Sequence, residues 1–129
     1  MRYILLLVAL FFSACTDLDK SQIDELLDQR NASISQKNIE TYTDLLSQSY
    51  LDNAGHEAIK SMQHIFATFE KIEMVSRDRR IQINGKNHAI CEQTYVLKVF
   101  SDNEWRKMVK REQLKFEREN GHWKISSGL

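Results

Sequence analysis

The periodicity of apolar residues changes near the middle of this chain, and that change restricts the possible folds more than any other feature. Between Ser21 and Phe69, apolar residues recur at the three- and four-residue spacing of amphipathic helices. After Arg79 they alternate with polar residues, as in strands that bury one face. The sequence therefore predicts an α+β domain in which three N-terminal helices pack on a curved antiparallel four-stranded sheet.

Turn residues divide the second half into four strands. Asn84-Gly85 and Asn120-Gly121 are dipeptides that favour the positive φ angles of tight hairpin turns. A polar loop at residues 101–104 separates the two longest strands. The predicted strands cover residues 79–83, 88–100, 105–118 and 123–125. The face of the second strand that should meet the helices carries Ala89, Cys91, Gln93, Tyr95, Leu97 and Val99.

Three helices are expected in the first half. Ser21 with Asp24 resembles a capping box for the first helix, and Asn38 suits the cap of the second. Residues 51–55 interrupt the periodic pattern, and the third helix follows them. The apolar residues expected on the helix faces are Ile23, Leu26, Leu27, Ile34, Tyr42, Leu45, Leu46, Tyr50, Ile59, Met62, Ile65, Phe66 and Phe69.

The beginning of the chain has the composition of an export signal. Arg2 precedes an uninterrupted apolar run at residues 4–12, and two small residues precede Cys15. Residues 12–15, Phe-Ser-Ala-Cys, resemble the bacterial lipobox, in which the cysteine becomes the first mature residue and carries acyl chains. We therefore expect residues 1–14 to be a signal peptide and Cys15 to be the lipidation site.

A membrane-spanning anchor and an ordinary cleaved signal are the alternatives. A helix over residues 3–14 would be about 18 Å long, which is shorter than the ~30 Å hydrocarbon core of a bilayer. We expect residues 15–20 to contain the lipid-attachment cysteine and a polar tether, and residues 21–129 to form one domain. The predicted location is the cell envelope. In the lipoproteins that this start resembles, Thr16 in place of an aspartate favours the outer membrane, facing the periplasm.

Composition argues against several partners. The chain has 18 basic and 18 acidic residues, so no overall positive charge attracts nucleic acid. Its four histidines and two cysteines do not have the spacing of a metal site, and no metal or cofactor is expected. Cys91 would be the only thiol left after acylation of Cys15, and we expect it in the core. The expected partners are a membrane, through acylated Cys15, a small apolar ligand and a second copy of the chain.

Several segments together resemble the nuclear transport factor 2-like superfamily, also called cystatin-like or SnoaL-like. They are the order of elements, residues 42–47, the Asn84-Gly85 hairpin that leads to Ala89, and residues 118–125. The resemblance implies a helix-covered curved sheet that encloses a cone-shaped cavity. Members of the superfamily include isomerases, cyclases, dehydratases, ligand-binding modules and partner-binding domains, so this fold leaves the function open.

Strand alternation places two polar residues, Gln93 and Glu112, on the face that would line such a cavity. Glu112 is the candidate catalytic residue: a general base whose reaction would use a tyrosine as hydrogen-bond donor. The alternative is that Glu112 pairs with a nearby lysine or arginine. The candidate pocket residues are Tyr42, Tyr50, Phe66, Gln93, Tyr95 and Trp123, with Tyr42, Tyr50 and Tyr95 as candidate donors; all of these aromatics also suit a core.

Three functions stay open. The favoured one is a lipid-anchored binding module without catalysis, because residues 126–129 lack the histidine motif that related domains often carry on the last strand. The second is a small-molecule enzyme of the isomerase, cyclase or dehydratase type that uses Glu112. The third is an envelope protein that self-associates through the outer sheet face, whose apolar residues would be Ile90, Val96, Phe100 and Val109.

Overall fold

A computed structural model describes the backbone of residues 2–128 and the side chains of residues 15–128. The predicted signal peptide, residues 1–14, thus lies outside the described side chains. The helical elements are α1 (Arg2–Ser35), α2 (Ile39–Asp44), α3 (Gln48–Tyr50), a π-helical turn (Leu51–Gly55) and α4 (His56–Thr68). The strands are β1 (Lys71–Asn84), β2 (His88–Ser101), β3 (Glu104–Glu119) and β4 (His122–Ser127). They form one antiparallel sheet in the order β1-β2-β3-β4, which confirms the predicted α+β class.

The first helix differs from the prediction at its start. Residues 15–20, expected to be a polar tether before a cap at Ser21, already belong to α1. Asp19 explains this difference, because its carboxylate accepts hydrogen bonds from Arg118 Nη2 and, at 3.3 Å, from Trp123 Nε1. Contacts with the sheet therefore keep residues 15–20 helical, although their sequence is polar and has no helical periodicity. Within the described residues, no helix is long and apolar enough to cross a membrane.

The other helices follow the sequence more closely. Asn38 caps α2 as predicted, and its side chain accepts a hydrogen bond from the Thr41 amide at 3.1 Å. Residues 51–55, expected to interrupt the helical pattern, instead form the π-helical turn that leads into α4. Gly55 permits this turn, because a Cβ at this position would lie only 2.9 Å from the carbonyl oxygen of Tyr50. Glycine often ends a helix, but at this position it allows two backbone segments to approach closely.

The strands extend the predicted meander. β1 begins at Lys71, eight residues before the predicted start, and its pairing with β2 shifts register between Arg77 and Arg80. Asp78 in this bulge has a φ of 55°. A bulge interrupts the alternation of inward and outward side chains, which is the signal that defines a strand in sequence. The irregular alternation explains why the prediction covered only the second part of β1.

The predicted connections between the strands are all present, but their loops differ in length. Asn120 and Gly121, with φ angles of 52° and 80°, form a two-residue loop between β3 and β4. Residues 102–103 have the same left-handed conformation, so both loops suit type I′ turns. The β1–β2 connection has three residues, 85–87, of which only Gly85 has a positive φ angle. The predicted hairpin is present there, and its loop is one residue longer than the two others.

The hydrophobic core lies between the helices and the inner face of the sheet. Cys91 is fully buried, as expected, and Arg30 and Gln93 are polar residues enclosed by the same core. The apolar residues that form the centre of this core are Ile23, Leu27, Ile34, Tyr42, Leu46, Ala89, Leu114, Phe116 and Ile125. Arg30 and Gln93 are therefore candidates for a chemical role in addition to packing.

Candidate functional site

A cavity of about 260 Å³ lies between α1, α4 and the inner face of the sheet. Most of its wall is apolar, and three methionines contribute to it. Arg30 from α1 and Glu112 from β3 are two of the four charged residues that line it. The other residues that line the cavity are Ile34, Met62, Ile65, Met74, Tyr95, Leu97, Met108, Lys110, Arg111 and Gly128. An apolar cavity with a few converging polar groups is typical of a small-molecule site.

Arg30 enters this cavity because of its position on α1. It follows Ile23 and Leu27 and precedes Ile34 at helical spacing, so it lies on the buried stripe of the helix. Its Nη1 donates to Glu112 Oε1 at 2.6 Å and to Oε2 at 3.2 Å. The two side chains are only 7% and 10% exposed. They form a buried ion pair between the first helix and the third strand.

Gln93 extends this polar cluster along the sheet. It is fully buried and pairs with Glu112 across β2 and β3. Its Oε1 accepts a hydrogen bond from Arg79 Nε at 3.0 Å. Within the described part of the chain, no protein atom accepts a hydrogen bond from Gln93 Nε2 or from Arg30 Nε. Two buried donors beside the ion pair are therefore free to bind an acceptor.

Two tyrosines near the ion pair stay protonated over the physiological pH range. Burial raises the pKa of the Tyr42 phenol from 10.0 to about 12, although the Arg30 charge opposes the shift. Burial also raises the pKa of Tyr95, with a further contribution from the Glu112 carboxylate. Of the two, Tyr95 lines the cavity, whereas Tyr42 lies in the core. Both phenols therefore keep a proton that they can donate in a hydrogen bond.

The structure brings together only part of the predicted site. Tyr95 and Glu112 line the cavity. Gln93 is buried beside Glu112 in the sheet. Tyr42, Tyr50 and Phe66 pack in or against the core without lining the cavity. Trp123 lies at the opposite end of the sheet, beside Asp19 and Arg118.

Sequence reasoning missed Arg30. The available signal was its position, because the helical period places this charged residue on the apolar face of the first helix. Its partner is 82 residues away in the chain, so their pairing required the tertiary structure. The pairing corresponds to the alternative interpretation of Glu112. The role of Glu112 as a general base stays a prediction.

Within residues 15–128, no group of three or more histidine, cysteine, aspartate or glutamate side chains is arranged to hold a metal ion. Cys15 is exposed, and it is not among the described residues that line the cavity. The residues that line the cavity offer apolar contacts and hydrogen-bonding groups.

The outer face of the sheet carries a second feature. Val75, Val109 and Trp105 are 59%, 47% and 45% exposed, which is unusual for large apolar residues. Val96 lies between Val75 and Val109 in the strand register and is buried, so the expectation that it is exposed is wrong. Its two exposed neighbours cover it. Ile90 and Phe100 are half-buried, and of the four predicted residues Val109 alone is exposed.

Residues 19–127 match the sequence profile of the family described as the calcium/calmodulin dependent protein kinase II association domain. No curated protein is significantly similar to the chain in sequence. A structure from Xanthomonas campestris, predicted to be a domain of that same description, is 16% identical with a TM-score of 0.69. The similarity covers 82% of this chain and 81% of that protein.

Two further solved structures have a similar fold. A nuclear transport factor 2-like protein with a cystatin-like fold from Novosphingobium aromaticivorans is 15% identical, with a TM-score of 0.75 over 95% of this chain and 86% of its own. A predicted dehydratase of the same superfamily from Streptomyces avermitilis is 18% identical, with a TM-score of 0.74 over 87% of this chain and 94% of its own. At these identities the likeness shows the fold alone.

Proposed function

Because the chain belongs to the calcium/calmodulin dependent protein kinase II association domain family, within the nuclear transport factor 2-like superfamily, we propose that it is a binding module for a small ligand. The proposal extends to export and anchoring of this module through acylated Cys15. The observation that carries it is the buried ion pair between Arg30 and Glu112 in a cavity whose wall is mostly apolar. Superfamily membership alone does not select binding over catalysis.

The size and lining of the cavity indicate what kind of ligand it would bind. Its volume of about 260 Å³ favours a small molecule, because it is just below the roughly 300 Å³ at which the usual range of ligand sites begins. Its wall, with residues such as Ile65 and Leu97, favours an apolar body. Arg30 lines the cavity and has an unused buried donor at Nε, which favours a carbonyl or another hydrogen-bond acceptor. Arg30 already compensates the charge of Glu112, so the ligand can be neutral.

Two small probes test this proposal. Benzamide has an apolar ring and a carbonyl acceptor, whereas toluene has the ring alone. We expect benzamide to bind more tightly in an NMR titration and to shift the signals of Tyr95 and Leu97. Met108→Trp should fill the cavity and weaken binding by about tenfold or more, corresponding to at least ~1.4 kcal/mol. Val109→Trp is the matched control, because the adjacent residue lies on the opposite face of β3.

The result that would contradict a binding role is equally specific. Wild-type protein that binds neither probe would contradict it, as would binding that Met108→Trp leaves unchanged. Tighter binding of toluene than of benzamide would locate the ligand in the cavity but refute the role of the polar cluster. Each outcome is measured on folded protein, which the dispersion of the same NMR spectra establishes.

Membrane anchoring is tested separately. Full-length protein expressed in a bacterium should appear in the membrane fraction with Cys15 carrying acyl chains, which intact-mass spectrometry detects. Cys15→Ser should abolish the added mass and release the domain from the membrane. Full-length protein that keeps an unmodified cysteine would refute the lipoprotein part of the proposal without affecting the cavity.

Self-association is the second candidate function, and the outer sheet face supports it. Val75 and Val109 are exposed on either side of Val96 on the outer face, and Trp105 is exposed four residues before Val109 on the same face of β3. The family to which the chain belongs is described by the term association domain. We infer that two copies pack through this face, because an exposed apolar patch is typical of a contact surface.

Sedimentation experiments test this second candidate. Wild-type protein should sediment as a dimer, and Val109→Lys should shift it toward monomer by placing a charge in the patch. Met108→Lys is the matched control, because this residue lies on the cavity face of the same strand. A wild-type monomer at all concentrations would rule out self-association through the sheet.

A further inference from the structure

The first turns of α1 with described side chains are attached to the sheet. Asp19 accepts hydrogen bonds from Arg118 and Trp123, and the Arg118 guanidinium lies 4.7 Å from the centre of the Trp123 ring. The Asp19 side chain is only 15% exposed. Cys15 lies one helical turn before it, about 6 Å along the helix axis. The predicted lipidation site therefore has no flexible linker between it and the folded domain.

A groove lies beside this attachment. One wall is the α1 turn with Cys15 and Leu18, and the other is the β1–β2 hairpin with Ile83 and Lys86. The groove has a volume of about 600 Å³. Leu18 is 59% exposed, although a leucine of this size gains by burial. A leucine beside a lysine suits a bilayer interface, where the leucine enters the acyl region and the lysine reaches the headgroups.

The cavity lies toward the other end of the molecule. From Asp19 in the groove to Arg30 in the cavity, α1 advances about 16 Å. On β3, Arg118 lies at the groove and Met108 lies at the cavity, about 33 Å apart along the strand. Both elements therefore lead from the groove to the cavity in the same direction.

We propose that the groove between α1 and the β1–β2 hairpin faces the bilayer to which Cys15 is attached, and that the Asp19 contacts hold the cavity away from the membrane. This inference rests on the lipid anchoring proposed above. It adds an orientation that anchoring alone does not require, since a flexible tether would let the domain rotate freely. The function of the orientation is access, because the cavity then opens toward molecules in the aqueous compartment.

Fluorescence quenching in vesicles tests the orientation. Acylated full-chain protein is placed in vesicles of phosphatidylethanolamine and phosphatidylglycerol that contain a headgroup quencher. A fluorophore is attached at Lys86→Cys, beside the groove, or at Asp102→Cys, in the loop at the opposite end of the sheet. Cys91 is fully buried and its thiol pKa is raised by burial to about 11, so it does not compete for the label. We expect quenching about threefold stronger at position 86, because the two labels lie beyond opposite ends of β2, which has 14 residues and is roughly 46 Å long.

Variants test the attachment itself. Asp19→Ala should reduce the difference between the two labels, because the helix start is released from the sheet. Asp17→Ala is the matched control, since this exposed carboxylate lies two residues earlier on the same helix, and it should leave the difference unchanged. Leu18→Asp should weaken quenching at position 86 without changing the Asp19 contacts, which keeps the test valid if Asp19→Ala unfolds.

The outcomes separate the two proposals. Intact mass establishes acylation before quenching is measured, and an unmodified Cys15 would overturn both the anchor and the orientation. Acylated protein with equal quenching at the two labels would overturn the orientation while leaving the anchor in place. Stronger quenching at position 102 would show that the cavity end faces the membrane, which also overturns this inference. The benzamide titration tests the cavity independently of each result.

Discussion

Arg30 occupies a position on α1 where the apolar period predicts an aliphatic residue. Its guanidinium compensates Glu112 inside the core, and both side chains are at least nine-tenths buried. Such a pair contributes little net stability, because desolvation of the two charges offsets their attraction. Loss of one partner is costly, however, because it leaves the other charge buried and unpaired. Under the proposed binding role, we expect the pair to matter more for the ligand than for net stability.

This argument predicts the stability of three variants. Arg30→Met should lower the free energy of unfolding by roughly 3–5 kcal/mol, since it leaves the Glu112 carboxylate unpaired. The double variant Arg30→Met with Glu112→Leu should recover most of that loss. Urea denaturation measures both, and Arg77→Met is the control because Arg77 is exposed. An Arg30→Met protein as stable as wild type would show that the carboxylate does not depend on the arginine.

Tyr42 predicts a dependence of stability on alkaline pH. Burial raises its pKa in the folded protein from 10.0 to about 12, against the opposing effect of Arg30. Between these values the unfolded chain loses the phenol proton while the folded protein keeps it, so stability falls as the pH rises. The contribution of Tyr42 is complete below about pH 10 and lost as the pH approaches 12.

Tyr42→Phe should therefore flatten the decline in stability over that pH window. Urea midpoints of wild type and variant, measured at matched pH values, provide the comparison. Cys91, whose pKa burial raises to about 11, is present in both proteins and cancels in the difference. Parallel declines for the two proteins would mean that Tyr42 is not the group responsible.

At the scale of elements, the bulge in β1 decides how the sheet meets the first helix. The register shift between Arg77 and Arg80 directs Arg79 toward α1. There it donates to Asp28 Oδ1 at 2.8 Å and to Gln93 Oε1 at 3.0 Å. One residue thus links a helix, the bulged strand and the polar cluster beside the cavity. The bulge is consequently a feature of the site as well as of the sheet.

The β3–β4 turn provides a local prediction at this scale. Gly121 has a φ of 80°, and a Cβ there would meet no atom within 4 Å. Gly121→Ala should therefore lower stability by about 1–2 kcal/mol through backbone conformation alone. Asn120→Gly, in the same turn, should be neutral or slightly stabilising because glycine adopts a positive φ without strain. Thermal unfolding measures both, and equal melting temperatures for Gly121→Ala and wild type would contradict the turn assignment.

Across the whole molecule, α1 joins the two ends of the sheet. It contacts Arg118 through Asp19, Glu112 through Arg30 and the Met74 amide through its last residue, Ser35. Helix position therefore sets the distance between the groove and the cavity.

Truncation tests the contribution of the helix start. A chain beginning at Ser21 should be less stable than one beginning at Cys15 by roughly 1.5–3 kcal/mol, since it lacks the charged hydrogen bonds of Asp19. Asp19→Ala in the longer chain should reproduce most of the loss, which calorimetry can measure. Equal stability of the two chains would show that residues 15–20 behave as the tether that the sequence suggested.

The sequence by itself determined the order of helices and strands, the antiparallel meander, the Asn38 cap and the inner face of β2. These features follow from residues close together in the chain, since periodicity and turn preference act over a few positions. Only the tertiary structure decided the partner of Glu112, the bulge that directs Arg79, and the helical state of residues 15–20. Arg30 pairs with Glu112 across 82 residues and Arg118 with Asp19 across 99, so no local pattern encodes either contact. The physical reason is that burial and charge compensation depend on which surfaces meet, and that is settled only when the whole core assembles.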